Sequence, residues 1–156
     1  MTVTLPDPAF AGREYPASAA YSVGREKVRE FAAAVGAQHP AHHDLEVARG
    51  LGYADLVAPA TFAVVVAQRA ESQYVADPAA GIDFSRVVHA DERFTHHRPI
   101  VAGDELVTVL HVDSVLHRAG IAMVTTRSEI FAVGADGERE PVSTVVSTLA
   151  VRGEGR

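Results

Sequence analysis

Among its 156 residues the chain has no cysteine and no tryptophan. Without cysteine there are no disulfides, no thiolate metal ligands and no cysteine nucleophile. Six Phe and four Tyr are too few for the stacking platforms that hold bases or sugars. Positive charge is scarce too: 14 Lys and Arg stand against 20 Asp and Glu, a formal net charge of −6, with a pI near 5.7. Nucleic acid and anionic membrane surfaces are therefore poor partners. Long apolar runs are also missing. The longest, Val57 to Ala67, is interrupted by Pro59 and Thr61 and falls short of a membrane span. Met1 to Pro8 lacks the basic and apolar regions of a signal peptide. The expectation is a cytoplasmic protein with neither nucleic acid nor membrane as partner.

What is present is globular: 47% apolar and 22% charged residues exclude a disordered chain. The length suits one domain that buries roughly 70% of the surface of its unfolded chain. No repeat or linker divides it, so residues 1–152 are expected to form one domain and 153–156 a tail. Fraying is expected from Val151 onward.

The pattern changes character near residue 83. Before it the signals are helical. From Arg25 to Val35, Val28, Phe31, Ala32 and Val35 fall at i, i+3, i+4 and i+7, an apolar stripe on one face. Gly24 or Ser22 suits its start, and Gly36 the left-handed residue that ends it. A shorter helix is expected to Gly50, capped by Asp44. Pro59, at a first-turn position, opens a third of about 16 residues that runs past Gln73 and is apolar nearly all round its first half. Such a helix must be buried.

After residue 83, Ser85–His96, Asp104–His117, Ile121–Val133 and Val142–Val151 are rich in Val, Thr, Ile and Leu and read as strands. The breaks between them, at 98–104, 118–120 and 134–137, carry turn chemistry, and such short connections imply antiparallel neighbours. In Ile121–Val133 the two alternating sets fit one dry and one partly wet face. The fold class is α+β, with a long antiparallel sheet wrapping a helix from the first half.

Of the eight histidines, His39, His42 and His43 crowd one loop ahead of Asp44, and His96 and His97 form a pair elsewhere. A metal site needs three or four convergent ligands, and this spacing matches no zinc motif, so no metal is expected. His43, His96, His97, His111 and His117 read as surface or hydrogen-bonded structural residues. A proton-transfer role in the loop after the first helix is the reading left for His42.

In order along the chain come Gly24 to Phe31, the His39–Asp44 loop, Leu51-Gly-Tyr53, Val57 to Phe62, and Phe94 through Arg98-Pro-Ile-Val-Ala-Gly-Asp104. This series resembles the MaoC-like hot-dog hydratases and dehydratases, in particular the short subunits of (3R)-hydroxyacyl-ACP dehydratases. It covers about Tyr21 to Val151. The resemblance implies a single hot-dog fold, a central helix wrapped by a curved sheet, that pairs with a second copy or with a related hot-dog subunit. It also implies reversible addition of water to a trans-2-enoyl thioester carried on CoA or ACP, without a cofactor.

In that family an Asp-x-Asn-Pro-x-His loop supplies a carboxylate that handles the water and a histidine that exchanges the C2 proton. Aligned on Pro40, the histidine is His42, the Asn position is His39, and the Asp position is Ala37. That departure leaves the pair incomplete. Asp44 and Gln38 are the nearby groups able to fill it, and a partner subunit is the preferred source. The thioester carbonyl is expected at Ala60 and Thr61, whose backbone N–H groups open the central helix, since Pro59 has none. His39, Pro59, Phe62 and Val65 are the expected substrate-binding residues, lining an apolar tunnel that ends near His42. A hot-dog thioesterase and a non-catalytic acyl-thioester-binding protein are the alternatives.

Overall fold

Short turns between long β-rich segments allow only antiparallel pairing, and that dictates the second half of the molecule. The computed structural model describes residues 5–153. In chain order these hold β1 (Tyr21–Ser22), α1 (Arg25–Ala34), α2 (Leu45–Gly50), α3 (Ala63–Val75), β2 (Val87–His96), β3 (Glu105–Arg118), β4 (Ile121–Val133) and β5 (Arg139–Arg152). One antiparallel sheet has the order β1-β3-β4-β5-β2. The β3–β4 hairpin closes on Ala119 and Gly120, both left-handed (φ 50° and 77°), the geometry that matches strand twist in a two-residue turn.

β5 runs through Arg152, and Gly153 still donates its N–H to the Gly120 carbonyl at 2.9 Å. Fraying from Val151 is thus corrected; the rest of the expected tail, 154–156, lies outside the described residues. β2 begins at Val87 rather than Ser85, because Phe84–Arg86 forms a short 3₁₀ turn in which Asp83 accepts from the Ser85 N–H. The segment before β1 is not helical as a whole. It lies along β3, with Gly12, Tyr15 and Ser18 donating to the carbonyls of Val112, Leu110 and Thr108.

In β4, Ala122, Val124, Thr126 and Ser128 form the dry face, alternating with half-buried residues. α3 lies against this inner face. Ala63, Val66, Ala67, Ala70 and Tyr74 make its buried stripe, and three alanines let the helix sit close to the strands. Glu71 is buried in the same face, where Thr126 donates a 2.7 Å hydrogen bond to it. The Tyr74 hydroxyl is buried without a hydrogen-bond partner among the described residues, and burial pushes its pKa up to about 12.

Two expectations about this helix are corrected. It starts at Ala63, four residues beyond Pro59, and has 13 residues. Pro59–Phe62 instead forms a turn with i→i−3 bonds, Phe62 N–H to Pro59 O at 2.9 Å and Val64 N–H to Thr61 O at 3.1 Å. Ala58, just ahead of this turn, donates its N–H to Ile100 O at 2.8 Å. Nor is the helix buried all round: Gln68, Arg69 and Ser72 are exposed, and Val64 and Val65 half-buried.

Candidate active site

α1 sets the position of the histidine loop. It ends in a Schellman motif: Gly36 is left-handed at φ 71°, its N–H donates to Ala33 O, and the Ala37 N–H donates to Ala32 O at 2.8 Å. Ala37 is the residue just past the cap, and its carbonyl oxygen lies 3.0 Å from His43 Nε2. Pro40–His42 then makes a 3₁₀ turn, capped by His39 Nδ1 accepting from the Ala41 N–H at 3.2 Å. Asp44 caps α2, its Oδ1 accepting from the N–H groups of Glu46 and Val47. This is the cap expected of Asp44 at the start of α2.

His42 is half-buried, and its Nδ1 lies 2.6 Å from the Val57 carbonyl oxygen. A carbonyl only accepts, so the ring proton sits on Nδ1 and a neutral ring keeps a lone pair on Nε2. The ring borders a recess of about 310 Å³ lined by His39, Ala41, His42, Leu51, Tyr53 and Val57. Val57 also lines a second recess, of about 400 Å³. Its walls are Val57–Ala60 and the segment from His96 to Ile100.

The N–H groups of Ala60 and Thr61 donate to no acceptor among the described residues. Ala60 lines the second recess, and an unspent N–H there is what a developing oxyanion requires. The recess is braced from below. Arg98 forks onto Asp104 at 2.9 and 3.0 Å, and Asp104 also accepts from the Val101 N–H at 3.0 Å. The Asp104 carboxylate beside it holds the Arg98 guanidinium above its ordinary pKa.

Of the expected site residues, His39 and His42 share one recess, and Pro59 and Ala60 share the other. Thr61 is exposed next to Ala60. Phe62 is fully buried, edge-on to Phe31 at 5.4 Å between ring centroids, and Val65 packs half-buried against the same core. Neither lines either recess. His96 was expected to be a surface or hydrogen-bonded structural residue. It lines the second recess, stacks on Phe94 at 5.9 Å, and holds its Nδ1 3.3 Å from Ser143 Oγ. The signal was the histidine pair directly ahead of Arg98-Pro99.

A family model for the FAS1-like dehydratase domain region matches residues 9–139. A UPF0336 protein from Saccharopolyspora erythraea is 52% identical over 147 residues, 94% of this chain and 92% of the relative. The truncated HadBC (3R)-hydroxyacyl-ACP dehydratase complex from Mycobacterium tuberculosis includes a chain 37% identical, at a TM-score of 0.76, covering 90% of this chain and 96% of that one. A MaoC-like dehydratase is 35% identical at a TM-score of 0.78, over 92% of this chain and 42% of its own length. The curled sheet around α3 is the hot-dog fold. Among the described residues no helix is long and apolar enough to cross a membrane.

Proposed function

Because this chain belongs to the FAS1-like dehydratase domain family, we propose that it acts as a subunit of an (R)-specific enoyl-thioester hydratase, or (3R)-hydroxyacyl-thioester dehydratase, with an incomplete catalytic pair. The observation that carries the reading is the arrangement about Val57. His42, fixed in one tautomer by the Val57 carbonyl, borders one of the two recesses that Val57 lines, and Ala60, whose N–H is unspent among the described residues, lines the other.

In this reading the thioester oxygen sits at the Ala60 and Thr61 N–H groups, which stabilise the enolate-like charge as water adds to or leaves C3. His42 exchanges the C2 proton. His39 and Pro59 shape the acyl site, with Phe62 and Val65 supporting it from the core. Ala37 has no carboxylate to hold the water, and losing one acid/base group costs about 10²–10⁴-fold. A partner subunit with an intact Asp/His pair supplies most of the activity.

Pairing is supported by two surfaces. The outer edge of β2 has no neighbour in the sheet among the described residues, and such an edge is a template for a further strand. The outward face of α3 is open as well. Similar structures include a two-subunit dehydratase complex and a double hot-dog chain. Fatty-acyl metabolism is the proposed setting, with the carrier either CoA or ACP.

The test is product identity after incubation with crotonyl-CoA, for the chain alone and mixed with a hot-dog subunit bearing both catalytic residues. Formation of 3-hydroxybutyryl-CoA, faster in the mixture than for either protein alone, is the expected result. Release of free CoA would make the protein a thioesterase, and tight binding without turnover in either sample a binding protein. Light scattering on the same samples should show a dimer, and a monomer in both would contradict the pairing.

A further inference from the structure

The second recess, which Ala60 lines, also carries a histidine that the family loop does not account for. Ser143 Oγ lies 3.3 Å from both the Thr95 carbonyl oxygen and His96 Nδ1. The hydroxyl has one proton, and the carbonyl can only accept it. With the Ser143 proton on the Thr95 carbonyl, the hydroxyl accepts from His96 Nδ1–H, and His96 Nε2 is left with its lone pair. Ser143 is itself buried, and Phe94 stacks on the imidazole with an interplanar angle of 16°. The ring is thus oriented from two sides, while the residue stays exposed on the recess that also holds Ala60.

We infer that His96 is this chain's own second acid/base group, taking over the handling of water that Ala37 cannot perform. The inference rests on the thioester-hydratase reading above and assigns one further residue to it. His96 Nε2 takes a proton from water as the water oxygen bonds to C3 of the enoyl thioester. The C2–C3 π electrons move toward the carbonyl, whose oxygen is met by the Ala60 N–H. C2 then receives a proton from solvent or from a protonated His42, and the His96 imidazolium returns its proton to solvent. Nothing is oxidised or reduced, and one water is consumed for each hydroxyl formed. Because the group comes from β2 and not from the loop, the activity of the chain alone is residual.

Crotonyl-CoA hydration by four full-length proteins tests this: wild type, His96→Gln, Ala37→Asp and the double variant, each checked by calorimetry for crotonyl-CoA binding. In the wild-type background His96→Gln should lower kcat at least tenfold, within the about 10²–10⁴-fold attributed to one such group. In the Ala37→Asp background, where a loop carboxylate handles the water, the same change should alter kcat by less than about twofold, since groups sharing one role are not additive. Equal losses in both backgrounds would mean that His96 only shapes or binds. No loss in the wild type, or no hydration by a wild type that binds crotonyl-CoA, would overturn the inference directly. Failure of all four proteins to bind or turn over crotonyl-CoA would instead remove the hydratase reading beneath it.

Discussion

His43 Nε2 lies 3.0 Å from the carbonyl oxygen of Ala37, so the imidazole after His42 secures the backbone at the position where the proposed reading lacks a carboxylate. The Schellman bond from the Ala37 N–H to Ala32 O fixes that peptide from the other side. The main chain at position 37 is thereby built and held, and what is missing is a side chain. An apolar residue just past a helix cap is ordinary protein chemistry, which is why the loop folds without its acid.

The floor of the second recess depends on Asp104. Asp104→Ala leaves the Arg98 guanidinium without its fork and the Val101 N–H without an acceptor. A charged hydrogen-bonded pair of this kind is worth about 2 kcal/mol. Chemical denaturation should show a loss of that order, whereas Asp136→Ala, on an exposed turn, should cost well under half as much.

Ala119 is the one non-glycine residue with positive φ among the described residues. A left-handed conformation costs an L-residue about 1–2 kcal/mol, and asparagine tolerates it better than alanine. Ala119→Asn gives the Asn-Gly pair that two-residue hairpins favour. Its melting temperature should rise, by an amount corresponding to about 1 kcal/mol at most.

Glu92 carries a pH dependence whose sign is set by burial. Burial raises its pKa, with Glu71 and Asp91 adding to the rise, while the Ser147 hydroxyl and His89 oppose it. Between the ordinary carboxylate value and this raised one, the folded chain keeps a proton that the unfolded chain has lost. Stability therefore falls as pH rises through that window, and the penalty is fully present above it. Glu92→Gln keeps an acceptor for Ser147 and cannot ionise. In melts across pH 4 to 8 the variant should gain on the wild type as pH rises, and a constant offset would contradict the assignment.

Much of the fold was legible because its determinants are local. Turn residues at 118–120 and 134–137 separate β-branched runs, and Gly36 and Asp44 punctuate the helices. The start of α3 was not legible, because Pro59 looks like a first-turn proline while its carbonyl in fact closes a separate turn with the Phe62 N–H. The site was half legible. His42 stood out by its loop, whereas His96 is informative only once β2 and the 57–60 turn are brought to the same recess. Phe62 and Val65 look like chain-binding residues in the sequence, but helical periodicity alone does not say that Phe62 turns toward Phe31.

Ala37→Asp is the most direct measurement of the account, because it restores one side chain to a backbone already held by His43 and Ala32. Crotonyl-CoA hydration by the isolated variant should exceed that of the wild type by at least about tenfold, and His42→Ala in the same background should abolish the gain, as expected of two groups acting as a unit. A variant that folds and dimerises normally yet hydrates no faster than the wild type would contradict the claim that this subunit is a hydratase lacking only its carboxylate.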